Sequence, residues 1–318
     1  MTVLNTLGVA SLAATTAFLS ATHLKTRRLA RQAEDLVPSV GKFQTVPGGG
    51  IHYVEMGQAD AQPLVLIHGL SGQLQHFTYA LADLLAPDFR LIILDRPGCG
   101  YSTRDHDQLA VLPEQAKMIQ SFLDILGIEQ PILCGHSLGG AVALAMALDA
   151  PEKIRGLALL APLTHPVEEV GVFKGLIVHT PFVRRLMAQT VAIPAAQRNA
   201  PEILQQVFAP TPCPDDFAVQ AGAVLGMRPK SFVTASADAT LASGNIALQS
   251  ARYASDLKTP GAVLFGEQDT VLSPQKNGTA MECFGLPCEM LPDQGHMLPI
   301  CAPEQCNAFI RKTAAKLK

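Results

Sequence analysis

Uninterrupted apolar runs alternate with amphipathic or alanine-rich stretches along most of the chain. Residues 63–67 are apolar on both faces, as a central strand of a parallel sheet must be, and 90–94, 131–134, 155–161 and 261–265, apolar apart from the leading Arg90 and Arg155, read as further strands. Residues 51–55 alternate as a half-buried strand, and 288–291 form a short one. The intervening stretches 73–85, 112–126 and 139–150, with 303–316 at the end, predict helices, and Pro151 stops the third. Strands alternating with helices predict an α/β fold, a mainly parallel sheet covered on both faces.

The rhythm is interrupted once. Between residues 162 and 255 no apolar strand is evident, and Pro181, Pro194, Pro201 and the cluster Pro210, Pro212 and Pro214 separate several helical stretches. This region predicts a helical cap, whose apolar segments 170–178 and 181–183 are suited to wall a pocket. The core is then 51–161 together with 256–318, preceded by a linker over 32–50.

From Val3 to Leu24 there is no charged residue, and Lys25, Arg27, Arg28 and Arg31 follow together. Residues 1–31 therefore predict a membrane anchor through 3–24, with the charge order placing the folded domain on the cytoplasmic face. The alternatives are a signal-like segment that is cleaved on export, and an apolar helix packed on the domain.

The chain has 318 residues and is 48% hydrophobic, enough for one large core. With 16% charged residues and a net charge of -3, it shows no nucleic-acid surface. The seven cysteines have no metal-site spacing; Cys283 with Cys288, or Cys301 with Cys306, could pair under oxidising conditions, but the odd total favours a reducing compartment.

The chemistry concentrates after the strand 131–134. Gly135-His136-Ser137-Leu138-Gly139 has the form G-x-S-x-G, a strand-to-helix turn so sharp that the serine is held exposed with a strained backbone. Gly135 and Gly139 leave room for the turn, and the Leu138 N–H at the helix start can hold an oxyanion. The loop His68-Gly69-Leu70-Ser71-Gly72 lies at the same sheet edge and offers the Leu70 N–H as second donor, with His68 read as shaping the loop. Asp95, before the turn Arg96-Pro97-Gly98-Cys99-Gly100, is read as a loop organiser. Asp269 follows a buried strand, and His296 follows the last one; they supply an orienting acid and a general base, with Glu267 and Asp293 as competitors for the acid.

These motifs together resemble the α/β-hydrolase superfamily from Ile51 to the end of the chain. The order Ser137, Asp269, His296, the room for a cap after the sixth strand, His68-Gly69, the turn from Asp95 to Ser102 and Gly295-His296 all match its recurrent features. The resemblance implies an eight-stranded sheet, Ser137 as nucleophile, Asp269 as acid, His296 as base, and Leu70 and Leu138 as oxyanion donors. Haloalkane dehalogenases and epoxide hydrolases of this fold carry an aspartate at the elbow, where this chain has Ser137. The resemblance thus points to a serine carboxylesterase or lipase-like enzyme that needs no cofactor and takes a small-molecule ester with an apolar acyl group. Carbon–carbon bond hydrolysis, cofactor-free perhydrolysis of the haloperoxidase-like kind, a non-enzymatic ligand receptor and a membrane-tethered interaction module are the alternatives.

Overall fold

The computed structural model describes residues 2–167 and 171–317; the side chains of residues 2–10, 12, 172, 242 and 243 lie outside that description. Among the described residues there are nine strands: β1 (Lys42–Val46), β2 (Gly49–Gly57), β3 (Gln62–Ile67), β4 (Phe89–Leu94), β5 (Thr103–Arg104), β6 (Ile132–Gly135), β7 (Gly156–Leu160), β8 (Gly261–Gly266) and β9 (Cys288–Leu291). They form one sheet in the order β1-β2-β4-β3-β6-β7-β8-β9, with the two-residue β5 paired to β2. Only β1, β2 and β5 run antiparallel to their neighbours.

The apolar runs become the sheet centre because both faces are covered. In β3, Leu66 lies between Ile93 of β4 and Cys134 of β6, and Leu64 through Ile67 are fully buried. Each such side chain contributes about 1.5–3 kcal/mol relative to exposure. The helix Leu138–Asp149 is buried from Leu138 to Leu148, wedged between the sheet and the helix Leu112–Ile125. Its alanines let it lie that close, which explains why it is apolar all round.

One expectation at the amino-terminal end is corrected, and a second finds no support. Residues 32–50 are not a linker: they contain the end of a helix that spans Thr2–Leu36, then β1, which pairs with β2 through a tight turn. Only Val46 of β1 is buried, so this edge strand has no alternating apolar signal to reveal it. The expected anchor also lacks support, because no helix among the described residues is long and apolar enough to cross a membrane. The later half of the first helix lies on the cap. Thr26 is buried and donates from its hydroxyl to the Thr190 carbonyl (3.0 Å), His23 Nδ1 meets the Gln189 carbonyl (2.9 Å), and Ala33 and Val37 are buried.

Between β7 and β8 the chain forms helices, among them Pro181–Gln189, Ala192–Phe208 and Pro229–Ser250, with no strand among the described residues. Six strands of the eight-strand path precede this insertion. Val170 of the expected apolar cap segment lies outside the described residues. The predicted helix 73–85 is two shorter ones, Gln75–Thr78 and Leu81–Leu85, because Ala80 leaves the helical region. All seven cysteines are free thiols.

Candidate active site

Each predicted site residue sits just beyond the carboxyl end of a parallel strand, where loops from neighbouring strands converge. Ser137 follows β6, Leu70 follows β3, Asp269 follows β8 and His296 follows β9. Strand order brings β6 next to β3, and β7, β8 and β9 continue outward on its other side.

Ser137 has φ 55° and ψ -122°, a conformation that a non-glycine residue adopts only under constraint. The constraint is visible in the hydrogen bonds. The Ser137 N–H donates to the Leu160 carbonyl (3.1 Å), and the Ser137 carbonyl accepts from the N–H groups of Gly140 and Leu163 (both 2.9 Å). Glycine is required on both sides of the turn. A Cβ on Gly135 would sit 2.5 Å from the Gly139 carbonyl oxygen, and one on Gly139 would strike the carbonyl oxygens of Ile67 and His68.

Ser137 Oγ lies 3.0 Å from His296 Nε2, and His296 Nδ1 lies 2.7 Å from Asp269 Oδ2. A carboxylate only accepts, so Nδ1 carries the proton and Nε2 is bare toward the serine hydroxyl. Asp269 is itself fixed: its Oδ1 accepts from the N–H groups of Val271 (2.8 Å) and Leu272 (2.9 Å). The structure thus brings Asp269 to the histidine rather than its competitors. Asp293 accepts instead from Gln268 Nε2 (3.0 Å), and Glu267 is exposed.

Leu70 and Leu138 line the same cavity as Ser137, and among the described residues neither backbone N–H has a hydrogen-bond acceptor. That cavity holds about 260 Å³ under the cap, and its walls include Leu163, Val167, Ile246 and Leu272. Two other hollows, of about 480 and 340 Å³, open among residues at the amino ends of strands, such as Gly261 and Ile132, away from Ser137. No group of three or more potential metal ligands occurs among the described residues.

The supporting shell is rich in histidines, and burial keeps His68 and His136 neutral. His68 Nδ1 donates to the Gly69 carbonyl (2.9 Å), while its Nε2 accepts from the Arg96 N–H (2.9 Å), which fixes one neutral tautomer. Burial, then the Arg96 charge, holds His68 well below the usual imidazole range. His68 therefore shapes the loop, as its position implies. Asp95 likewise organises loops, accepting from the Leu74 and Tyr101 N–H groups (both 2.8 Å) and from His52 Nδ1 (2.7 Å). Three contributors escaped sequence reasoning. His136 donates from Nε2 to the His296 carbonyl (2.9 Å), and burial keeps it neutral; Arg96 and Asp238 form a buried ion pair (2.9 Å) behind the loop that carries Leu70. His136 was legible only as the variable position of the elbow, and nothing local signals the ion pair.

A family model described as alpha/beta hydrolase fold matches residues 62–300. The chain is 31% identical over 281 residues to the dihydrolipoyllysine-residue acetyltransferase component of the acetoin cleaving system of Pseudomonas putida, covering 84% of this chain and 68% of that protein. It is also 31% identical over 120 residues to 2-hydroxy-6-oxo-6-phenylhexa-2,4-dienoate hydrolase of Comamonas testosteroni, covering 35% of this chain and 40% of that protein. The carboxylesterase CesB of Bacillus subtilis shares the fold, with a TM-score of 0.66 at 17% identity over 92% of this chain and 98% of that one. The match over residues 62–300 spans every strand from β3 to β9, and on that ground the chain belongs to the alpha/beta hydrolase fold family.

Proposed function

We propose that this alpha/beta hydrolase is a serine hydrolase that cleaves carboxylic esters through an acyl-enzyme on Ser137. The observation that carries the reading is the unbroken line from Asp269 through His296 to Ser137, opening into an apolar cavity beside the Leu70 and Leu138 N–H groups, which have no acceptor among the described residues. His296 Nε2 takes the proton as Ser137 Oγ attacks the ester carbonyl, and the Leu70 and Leu138 N–H groups receive the negative oxygen. The imidazolium, stabilised by Asp269, returns the proton to the departing alkoxide. Water activated by the same histidine then releases the acid and restores Ser137. Every step uses a side chain or backbone group of the protein, so the reading requires no cofactor.

The cavity lies just below the about 300–1,000 Å³ of pockets for drug-sized ligands. Its size and apolar walls favour a small-molecule ester with a short apolar acyl group. The likeness to the dienoate hydrolase supports a second reading, carbon–carbon bond hydrolysis by the same residues. Turnover of p-nitrophenyl esters from acetate to dodecanoate, beside a vinylogous diketone, tests both. The ester reading expects a short-chain optimum that Ser137→Ala abolishes. Turnover of the diketone alone would replace it with the second reading.

A further inference from the structure

Arg96 is fully buried, and its side chain gathers contacts from both sides of the site. Its Nε donates to the His68 carbonyl (2.9 Å) and Nη2 to the Gly69 carbonyl (3.1 Å), while Nη1 donates to Gln115 Oε1 (2.6 Å) and Asp238 Oδ2 (2.9 Å). Asp238 belongs to the cap helix Pro229–Ser250, whose next two residues, Ala239 and Thr240, line the cavity. One guanidinium thus joins the loop after β3 to the cap.

The Gly69 contact has a geometric consequence. In a trans peptide the carbonyl of one residue and the N–H of the next point in opposite directions from one plane. The Gly69 carbonyl and the Leu70 N–H share such a plane. A guanidinium that holds the carbonyl on the buried side therefore turns the Leu70 N–H toward the cavity. That plane abuts the nucleophile: a Cβ on Gly69 would lie 3.0 Å from Ser137 Cβ. His68 Nδ1 (2.9 Å) and the Gly72 N–H (3.3 Å) donate to the same carbonyl, but both belong to the loop itself. Among the described residues, Arg96 is the donor to it that is anchored outside the loop.

We propose that Arg96 is a positioning residue that aims and polarises the Leu70 N–H at the reacting carbonyl, and that Asp238 ties this aim to the seating of the cap. The inference rests on the ester-hydrolase reading of Ser137. A donor moved by a fraction of an ångström serves the transition state poorly while substrate binding is spared. Arg96→Lys keeps the charge but cannot reach both carbonyls and Asp238 together.

The test measures kcat and KM for p-nitrophenyl acetate, and inhibition by an aryl trifluoromethyl ketone, whose adduct carries the oxyanion. For Arg96→Lys, kcat falls about 10- to 100-fold and KM stays within about twofold, while the ketone weakens in parallel with kcat/KM. Added ethylguanidinium restores Arg96→Ala by at least about tenfold, and restores ketone inhibition with it. Asp238→Asn matches the aspartate in size; it keeps KM and loses about 3- to 10-fold in kcat. If Arg96→Lys fails to fold, this second variant and the rescue decide the matter. Wild-type kcat in Arg96→Lys or in Asp238→Asn overturns the proposal, as does a kcat loss that leaves ketone inhibition untouched. A wild-type protein that hydrolyses no ester overturns the ester-hydrolase reading, and this inference with it.

Discussion

Asp269→Asn separates orientation of the histidine from mere packing. Asp269 Oδ1 accepts two backbone N–H groups, at 2.8 and 2.9 Å, and only an oxygen can remain there. The asparagine amide must therefore place its NH₂ where Oδ2 stood, 2.7 Å from His296 Nδ1. Two donors cannot face each other, so the imidazole shifts its proton to Nε2, which then faces Ser137 as a donor and cannot act as base. A wrong tautomer in a correct geometry lowers kcat by about 10⁴, or about 5.4 kcal/mol of transition-state stabilisation. Because both backbone bonds survive, the melting temperature stays within about 4 °C of the wild type. Stopped-flow or steady-state turnover of p-nitrophenyl acetate, with calorimetry on the same sample, reads both quantities. A folded variant that loses less than tenfold in kcat would refute the assignment of the acid.

Acid should destabilise the fold before the carboxylates titrate. His76 is held down at about 4 by burial, and burial also keeps His68 and His136 well below 6.5, so the unfolded chain binds more protons below 6.5. The stabilisation is complete above 6.5 and is lost as pH falls; His76 alone accounts for about 3 kcal/mol between 6.5 and 4. Denaturant melts at pH 7 and 5 should therefore show a clear loss, and equal stability at the two pH values contradicts the buried neutral state. For the elbow, Gly139→Ala forces a Cβ against the backbone of β3 and should cost more than about 100-fold in kcat. Gly226→Ala, which meets no atom within 4 Å, serves as the neutral control; equal activity in both variants would show that the close approach is dispensable.

Much of the sheet was legible because buried parallel strands leave unmistakable apolar runs, and the site residues follow those runs directly. Ser137, Asp269 and His296 are each announced by a strand end and a glycine-bearing turn within a few residues. What stayed hidden is long-range. Arg96 and Asp238 are 142 positions apart, and no local pattern marks either as buried. Strand β1 was missed because its face with Lys42, Gln44 and Val46 is mostly polar with only Val46 buried, while Phe43 and Thr45 on the other face are exposed. The uncharged stretch after Val3 suggested a span. The helix continues through the basic cluster to Leu36, and Thr26 and Ala33 on it, with Val37 just beyond, are buried on the protein, a contact that hydropathy alone does not encode.

The central claim is that Ser137 is the nucleophile, made reactive by His296. Fluorophosphonate labelling followed by peptide mass mapping tests it most directly, because the probe forms a covalent adduct only at an activated hydroxyl. The account predicts one adduct per chain, on the peptide containing Ser137, formed at least about 100-fold more slowly when His296 is replaced by alanine. An adduct on any other residue, or none on a folded protein, would contradict it.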